Sequence, residues 1–192
     1  LWDQGLRLGH SVHTVSECCQ VDDRNIELSI SLLDQRFLTG DESLYQKLLE
    51  ALPKFFHSRR QELIQHLTRL TRVRHARYSE TIYHMEPNVK ETPGGLRDLQ
   101  LVRWLSQLRS AQPYQMPVPE PVPELDGPRE FLAKLRTFLH STAGRDSNLL
   151  SFDAQEEISE QPFFPHRDAA AWMRDYFFGA RAIYRAATRW ME

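Results

Sequence analysis

Residues 172–187 have the sequence W-M-R-D-Y-F-F-G-A-R-A-I-Y-R-A-A, in which apolar residues recur at helical intervals. In an α-helix, this spacing collects side chains into one stripe along one face. The members of the stripe are Trp172, Met173, Tyr176, Phe177, Ala180, Ile183, Tyr184 and Ala187. The stretch therefore predicts a long final helix that presents its apolar face to partners.

Three segments of the first half repeat this helical spacing. Residues 25–38 also alternate like a strand, but the helical pattern covers more residues and ends at Gly40, which suits a helix C-terminus. The next helix is expected to begin at a cap supplied by Asp41 or Ser43, and another helix to occupy residues 59–78. Their predicted inward residues are, in order, Ile26, Ile30, Leu33 and Phe37; Leu44, Leu48, Leu49 and Leu52; and Leu63, Leu67 and Leu70.

Two further helices are predicted in the second half. One follows Gly94 and Gly95 and buries Leu99, Val102 and Leu105; the other carries the stripe Phe131, Leu135, Phe138 and Leu139. Between them, residues 112–128 contain too many prolines for a helix and are expected to form an extended surface excursion without chemistry. Five or more amphipathic helices joined mostly by short loops predict a mainly α fold, an up-and-down helical bundle over residues 14–192.

The first 13 residues have a different pattern. Apolar side chains at Trp2, Leu6 and Leu8 share one parity, which is the period-two signature of a half-buried strand, and Asp3 lies on its polar face. Thr14 and Glu17 then have the spacing of a capping box that opens a helix. We therefore expect a short β remnant in residues 1–13, ahead of the helical domain.

Composition excludes several classes of protein. A net charge of -2 argues against a surface for nucleic acid. No apolar run approaches the roughly 20 residues that cross a bilayer, so we expect a chain that is neither exported nor anchored. The two cysteines, Cys18 and Cys19, are adjacent and rarely pair with each other, which favours a reducing, cytoplasmic setting. Composition does not predict an oligomeric state.

The sequence lacks the signatures of nucleophile elbows, zinc sites and P-loops. The best candidate for a functional site is instead the segment of residues 86–98, E-P-N-V-K-E-T-P-G-G-L-R-D. Lys90, Gly94, Gly95, Arg97 and Asp98 surround a predicted helix start. Free amides and the positive end of the dipole at such a start can bind a phosphate, and glycines allow close approach. The alternative is a plain helix start, in which Asp98 complements the dipole and Arg97 pairs with a carboxylate.

Several stretches resemble the PII uridylyltransferase family, in the same order along the chain. Residues 83–104 are similar to that family's E-P-D-[IV]-K-x-x-P-G-G-L-R-D signature, and residues 1–14, L-W-D-Q-G-L-R-L-G-H-S-V-H-T, to its L-W-D-x-G-L-x-[VL]-G-H-S-V-R-T. Residues 32–41, L-L-D-Q-R-F-L-T-G-D, resemble a third family pattern. One departure is Asn88, which stands where relatives commonly have Asp.

The resemblance implies an internal fragment: residues 1–13 end a nucleotidyltransferase catalytic domain, and residues 14–192 form the helical domain that follows. It implies that Asp3 is the third carboxylate of a Mg²⁺ site whose other ligands lie upstream. It also implies that Lys90 and Arg97 bind phosphate or carboxylate, that Gly94 and Gly95 permit close approach, and that Asp98 orients the loop.

The implied full-length enzyme transfers UMP from UTP to a tyrosine of the PII signalling protein, and its uridylyl-removing hydrolase domain would lie beyond Glu192. The fragment alone is expected to be inactive. Two other interpretations stay open: a non-catalytic helical regulatory or interaction module, and an adenylyltransferase of similar architecture.

Overall fold

Residues 9–21, 26–110, 122–162 and 168–192 are described by the computed structural model. Within these ranges the secondary structure is helical, without a strand. The α-helices are α1 (Val15–Cys18), α2 (Ile26–Ser31), α3 (Glu42–Arg77), α4 (Leu96–Arg109), α5 (Asp126–Ala143), α6 (Phe152–Ser159) and α7 (Ala169–Met191). The predicted mainly α class is confirmed. Of the predicted strand, residues 1–8, including Asp3, lie outside the described residues, and residues 9–12 form no strand.

Helix α7 forms the centre of the fold. Asp168 caps it by accepting a hydrogen bond from the Ala170 amide, and the helix packs against α4, α5 and α6. Trp172, Tyr176 and Ile183 from its stripe are at most 1% exposed. The partners of the predicted apolar face are therefore other helices of the same domain, and burying these large side chains supplies much of the hydrophobic stabilisation.

Helix α3 is one element of 36 residues, where two helices were predicted. The Asp41 carboxylate caps it, as expected, by accepting from the amides of Ser43 and Leu44. The helix continues through Pro53, although proline removes one helical hydrogen bond. Leu52, Phe55 and Phe56 around the proline are buried, so tertiary packing offsets the local cost.

The predicted inward positions of this region are only partly correct. Leu52, Leu63 and Leu67 are buried as expected, but Leu44 and Leu70 are exposed. Thr71 and His75, which lie beyond Leu70 in the chain, are buried, so α3 is covered up to its last turn and Leu70 lies off the buried face.

Helix α2 is shorter than the predicted helix over residues 25–38. It ends at Ser31 and continues as a 3₁₀ turn, Leu32–Asp34, after which Gln35 is extended. The Asp34 carboxylate accepts hydrogen bonds from Arg103 (2.5 Å) and Trp104 (2.7 Å) of α4. These contacts between distant segments accompany the change of backbone direction, and Phe37, predicted to face inward, is exposed.

The proline-rich stretch ends earlier than predicted. Residues 111–121 lie outside the described residues, but Pro123–Leu125 forms a 3₁₀ turn and α5 begins at Asp126. Pro128 is tolerated in the first turn of α5 because amides there have no intrahelical acceptor. The boundary predicted at residue 128 is therefore wrong.

Short-range predictions near the N-terminus are confirmed. The Thr14 hydroxyl accepts from the Glu17 amide (3.2 Å), and the Glu17 carboxylate accepts from the Thr14 amide (2.7 Å). Cys18 and Cys19 are free thiols. None of the described helices is long and apolar enough to cross a membrane.

Candidate functional site

The segment between α3 and α4 folds back onto the first turn of α4. The Leu96 amide donates to the Val89 carbonyl and the Arg97 amide to the Lys90 carbonyl, with a distance of 3.0 Å in both hydrogen bonds. The Gly95 amide donates to the Thr92 carbonyl (2.8 Å). The helix therefore finds acceptors for these amides within its own preceding loop. Because these amides are not free, they do not support the predicted binding of a phosphate by the start of α4. A phosphate at this position would have to be bound by side chains.

Asn88 has a structural role in this loop. Its side-chain oxygen accepts from the amides of Lys90 (3.1 Å) and Glu91 (3.0 Å), which is an Asx turn. Its backbone pairs with Leu149 in an isolated antiparallel bridge. The departure from Asp at this position therefore preserves a side-chain oxygen that holds the loop.

Asp98 is the most buried charged residue of the site, with no exposed surface. Its carboxylate accepts from Arg74 (2.5 Å) and His75 (2.9 Å), both on the last turn of α3. It also accepts from the Gly94 amide (2.7 Å), and Arg74 donates in addition to the Glu91 carbonyl (2.9 Å). Asp98 thus ties the end of α3, the loop and the start of α4 together.

Opposing influences act on the pKa of Asp98. Burial is the largest and raises it, while the hydrogen bond from His75 and the charge of Arg74 lower it. The net result is a pKa below the usual value for aspartate, so Asp98 is ionised at neutral pH. Because the carboxylate is enclosed by these donors, it is placed to hold the loop and not to reach a ligand.

Gly94 and Gly95 are close to the protein's own backbone. Gly94 has φ +81°, and a Cβ atom there would lie 2.3 Å from the carbonyl oxygen of Ala180 in α7. A Cβ at Gly95 would lie 2.8 Å from the Val89 carbonyl oxygen. Both glycines therefore permit close packing of the loop on α7 and on itself.

Lys90 and Arg97, the predicted phosphate partners, line the same cavity. It has a volume of about 410 Å³ and lies between α4 and α5. We call it the basic groove because its charged lining residues are all cations, namely Lys90, Arg97, Arg103, Arg129 and Arg136. Arg97 also pairs with Glu91 (3.5 Å), as in the plain helix-start alternative.

A second cavity of about 550 Å³ lies on the other side of Arg97. Its lining is mixed, with Leu67, Leu101 and Trp104 beside the carboxylates of Glu27 and Asp34. Arg97 and Gln100 line both cavities, so a ligand in the basic groove would have an apolar and hydrogen-bonding surface next to it.

The described residues do not fit a magnesium ion by themselves. They contain no group of three or more His, Cys, Asp or Glu side chains that could hold a metal. Asp98 is occupied by Arg74, His75 and Gly94, and Asp3 lies outside the described residues. The predicted metal role of Asp3 therefore stays a prediction.

Sequence reasoning missed both partners of Asp98 and one wall of the basic groove. Arg74 and His75 fall within the helix predicted over residues 59–78, and nothing local marks them as partners of Asp98. Arg129 and Arg136 are seven residues apart and so share a face of α5, which is a detectable signal. Only the structure shows that α4 lies opposite this face of α5, so that the two arginines form one wall of the basic groove.

Comparison with known proteins connects this site to a family. The family model described as GlnD PII-uridylyltransferase matches residues 54–190, which include most of α3, the whole of α4, α5 and α6, and α7 except its last residue. No solved structure matches the chain.

Curated relatives extend the match. A protein of Ralstonia nicotianae named bifunctional uridylyltransferase/uridylyl-removing enzyme is 35% identical over 97% of this chain. Proteins of the same name from Burkholderia mallei and Burkholderia pseudomallei are also 35% identical over 97% of it. The chain spans 23% of the length of each of these relatives. By the family model and by these relatives, the chain belongs to the GlnD PII-uridylyltransferase family.

Proposed function

We propose that this chain is part of a PII uridylyltransferase, the enzyme that transfers UMP from UTP to a tyrosine of the PII nitrogen-signalling protein. The observation that carries the proposal is the 35% identity, over 97% of the chain, to relatives named bifunctional uridylyltransferase/uridylyl-removing enzyme. In this interpretation residues 1–13 end the catalytic domain, and residues 14–192 are the helical domain beside the nucleotide site.

In the proposed reaction, the tyrosine oxygen attacks the α-phosphorus of UTP. The new O–P bond replaces the bond to the β-phosphate, pyrophosphate leaves, and the tyrosine proton passes to solvent or to a base. Negative charge develops on the phosphates during this step, and positioned cations stabilise it. Lys90 and Arg97 are our candidates among the described residues, because both line the basic groove.

The other predicted site residues support these two cations. The contacts of Asp98 with Arg74, His75 and Gly94 hold the loop that carries Lys90, and Gly94 and Gly95 allow that loop to pack closely. Asp3 is proposed as a Mg²⁺ ligand together with upstream carboxylates, as the family resemblance implies. A cytoplasmic location is proposed as well, because a reducing compartment suits the free thiols.

The test is transfer from labelled UTP to PII by the full-length protein. Asp3→Asn should lower kcat by at least about 100-fold, since a metal ion supplies several kcal/mol of charge stabilisation. Lys90→Gln and Arg97→Gln should each raise KM for UTP by about 10-fold, the effect of one lost charged contact. Arg185→Gln, an exposed change on α7 outside the groove, is the matched control.

Circular dichroism and thermal unfolding establish that each variant is folded. A folded wild-type protein that modifies PII with neither UTP nor ATP would contradict the proposal and favour the interaction module. Full activity of a folded Asp3→Asn variant would remove Asp3 from the site.

A further inference from the structure

The basic groove has two walls that come from different parts of the chain. Lys90 in the loop and Arg97 and Arg103 on α4 form one wall, and Arg129 and Arg136 on α5 form the other. Arg129 and Arg136 are seven residues apart, about two helical turns, so both point from α5 toward the same side.

The carboxylates that pair with these arginines lie outside the lining of the groove. Arg103 binds Asp34 (2.5 Å), Arg129 binds Asp126 (3.2 Å), and Arg136 lies 3.9 Å from Asp146. The Arg136 Nε atom also donates to the side-chain oxygen of Asn148 (2.9 Å).

These contacts orient the guanidinium groups. A guanidinium carries five N–H groups, and the contacts given above for Arg103 and Arg136 use one or two of them in each side chain. Arg103 and Arg136 therefore keep donors for an anion while they are held in place, and Arg129 adds its positive charge to the same groove.

The size and donor chemistry of the groove select the class of anion. Its volume of about 410 Å³ lies within the usual range for small-ligand pockets. Guanidinium groups bind phosphate oxygens in pairs, so several of them on two facing walls suit a ligand with several phosphoryl groups in a row. The chain's net charge of -2 argues against an extended nucleic acid.

We propose that the basic groove between α4 and α5 binds the triphosphate chain of a nucleotide, and that Arg129 and Arg136 bind its phosphoryl oxygens from the α5 side. This inference rests on the proposed function only for the identity of the nucleotide as UTP. It adds a binding wall to Lys90 and Arg97 and assigns α5 a direct role in holding the substrate.

The test measures binding apart from transfer, by isothermal titration calorimetry on the full-length protein. Inorganic tripolyphosphate and UTP are titrated separately, with a chelator and no added divalent metal, so that metal-bridged contacts do not contribute. Arg129→Gln and Arg136→Gln should each raise the Kd for both ligands by about 10-fold, because each removes one charge-assisted contact. The double variant should raise it by about 100-fold if the two contacts add.

Lys134→Gln is the matched control, since Lys134 is on the same helix but pairs with Glu130 outside the groove. It should leave both Kd values unchanged. Thermal unfolding shows whether losing the contact to Asn148 has unfolded the Arg136→Gln variant. Arg129→Gln tests the same wall at an exposed position, so the proposal stays testable if Arg136→Gln fails to fold.

The outcomes separate this inference from the proposed function. Unchanged Kd values in folded Arg129→Gln and Arg136→Gln variants overturn the inference, even if PII is uridylylated normally. Binding of tripolyphosphate without binding of UTP overturns the assignment to a nucleotide. Weakened UTP binding in these variants supports the inference, even if the protein fails to modify PII.

Discussion

Replacing Gly94 by alanine tests the close packing of the loop on α7. The added Cβ would lie 2.3 Å from the Ala180 carbonyl oxygen and 2.9 Å from the Ala180 Cα atom, closer than real Cβ atoms approach. Both obstacles are backbone atoms of a buried helix, so no flexible side chain can move aside. The residue would also keep φ +81°, which is unfavourable for any side chain.

Two separate costs determine how much unfolding free energy the Gly94→Ala variant loses. A left-handed conformation costs a non-glycine residue about 1–2 kcal/mol, and forcing extra atoms into a packed site costs about 1–3 kcal/mol. We expect a total loss of about 4 kcal/mol in unfolding free energy. For a domain of this size that lowers the melting temperature by about 10 °C.

Gly144→Ala is the control because it isolates the first of these costs. Gly144 ends α5 with φ +59°, and its Cβ would meet nothing within 4 Å. The melting temperature of the Gly144→Ala variant should therefore fall by only about 3 °C, which corresponds to a loss of about 1 kcal/mol in unfolding free energy. Both are measured by calorimetry or circular dichroism. Equal melting temperatures for the two variants would refute the close approach of the loop to α7.

Three further outcomes are expected. Asp98→Asn should lower the unfolding free energy by about 3–5 kcal/mol in denaturant titrations, because Arg74 loses its buried counter-charge; a loss below 1 kcal/mol would contradict the network. Because the folded pKa of Asp98 is lowered, its stabilising contribution is present above the unfolded pKa of about 4 and is lost as pH falls. The difference in unfolding free energy between wild type and Asp98→Asn, measured in urea titrations, should therefore become smaller below pH 4. A difference that stays constant from pH 6 to pH 3 would contradict a lowered pKa for Asp98. Pro53→Ala should raise the melting temperature and increase the free energy of unfolding by about 1–2 kcal/mol, because it restores the hydrogen bond to the Leu49 carbonyl. A lower melting temperature would show that the proline is needed for packing.

Local patterns predicted the elements whose partners lie within a few residues. The Thr14 capping box and the Asp41 cap depend on neighbours three residues away or nearer, and both are present. The start of α4 after Gly95 and the buried stripe of α7 were predicted for the same reason. Helical periodicity is a property of contiguous residues, so the sequence alone reveals it.

Errors occurred where distant residues decide the backbone. Arg103 and Trp104 bind Asp34 from about 70 positions away along the chain, where α2 gives way to extended backbone. Buried side chains around Pro53 keep α3 continuous, against the local preference of proline. No pattern within either segment contains these contacts.

The candidate site divides in the same way. The sequence by itself determined that Lys90, Gly94, Gly95, Arg97 and Asp98 cluster at a helix start, and family motifs connected that cluster to nucleotide chemistry. Only the tertiary structure decided that Asp98 faces inward, that the glycines pack against backbone, and that cations of α5 face those of α4. The physical reason is that helix propensity and capping act over a few residues. Burial and electrostatic pairing depend instead on which elements the folded chain brings together.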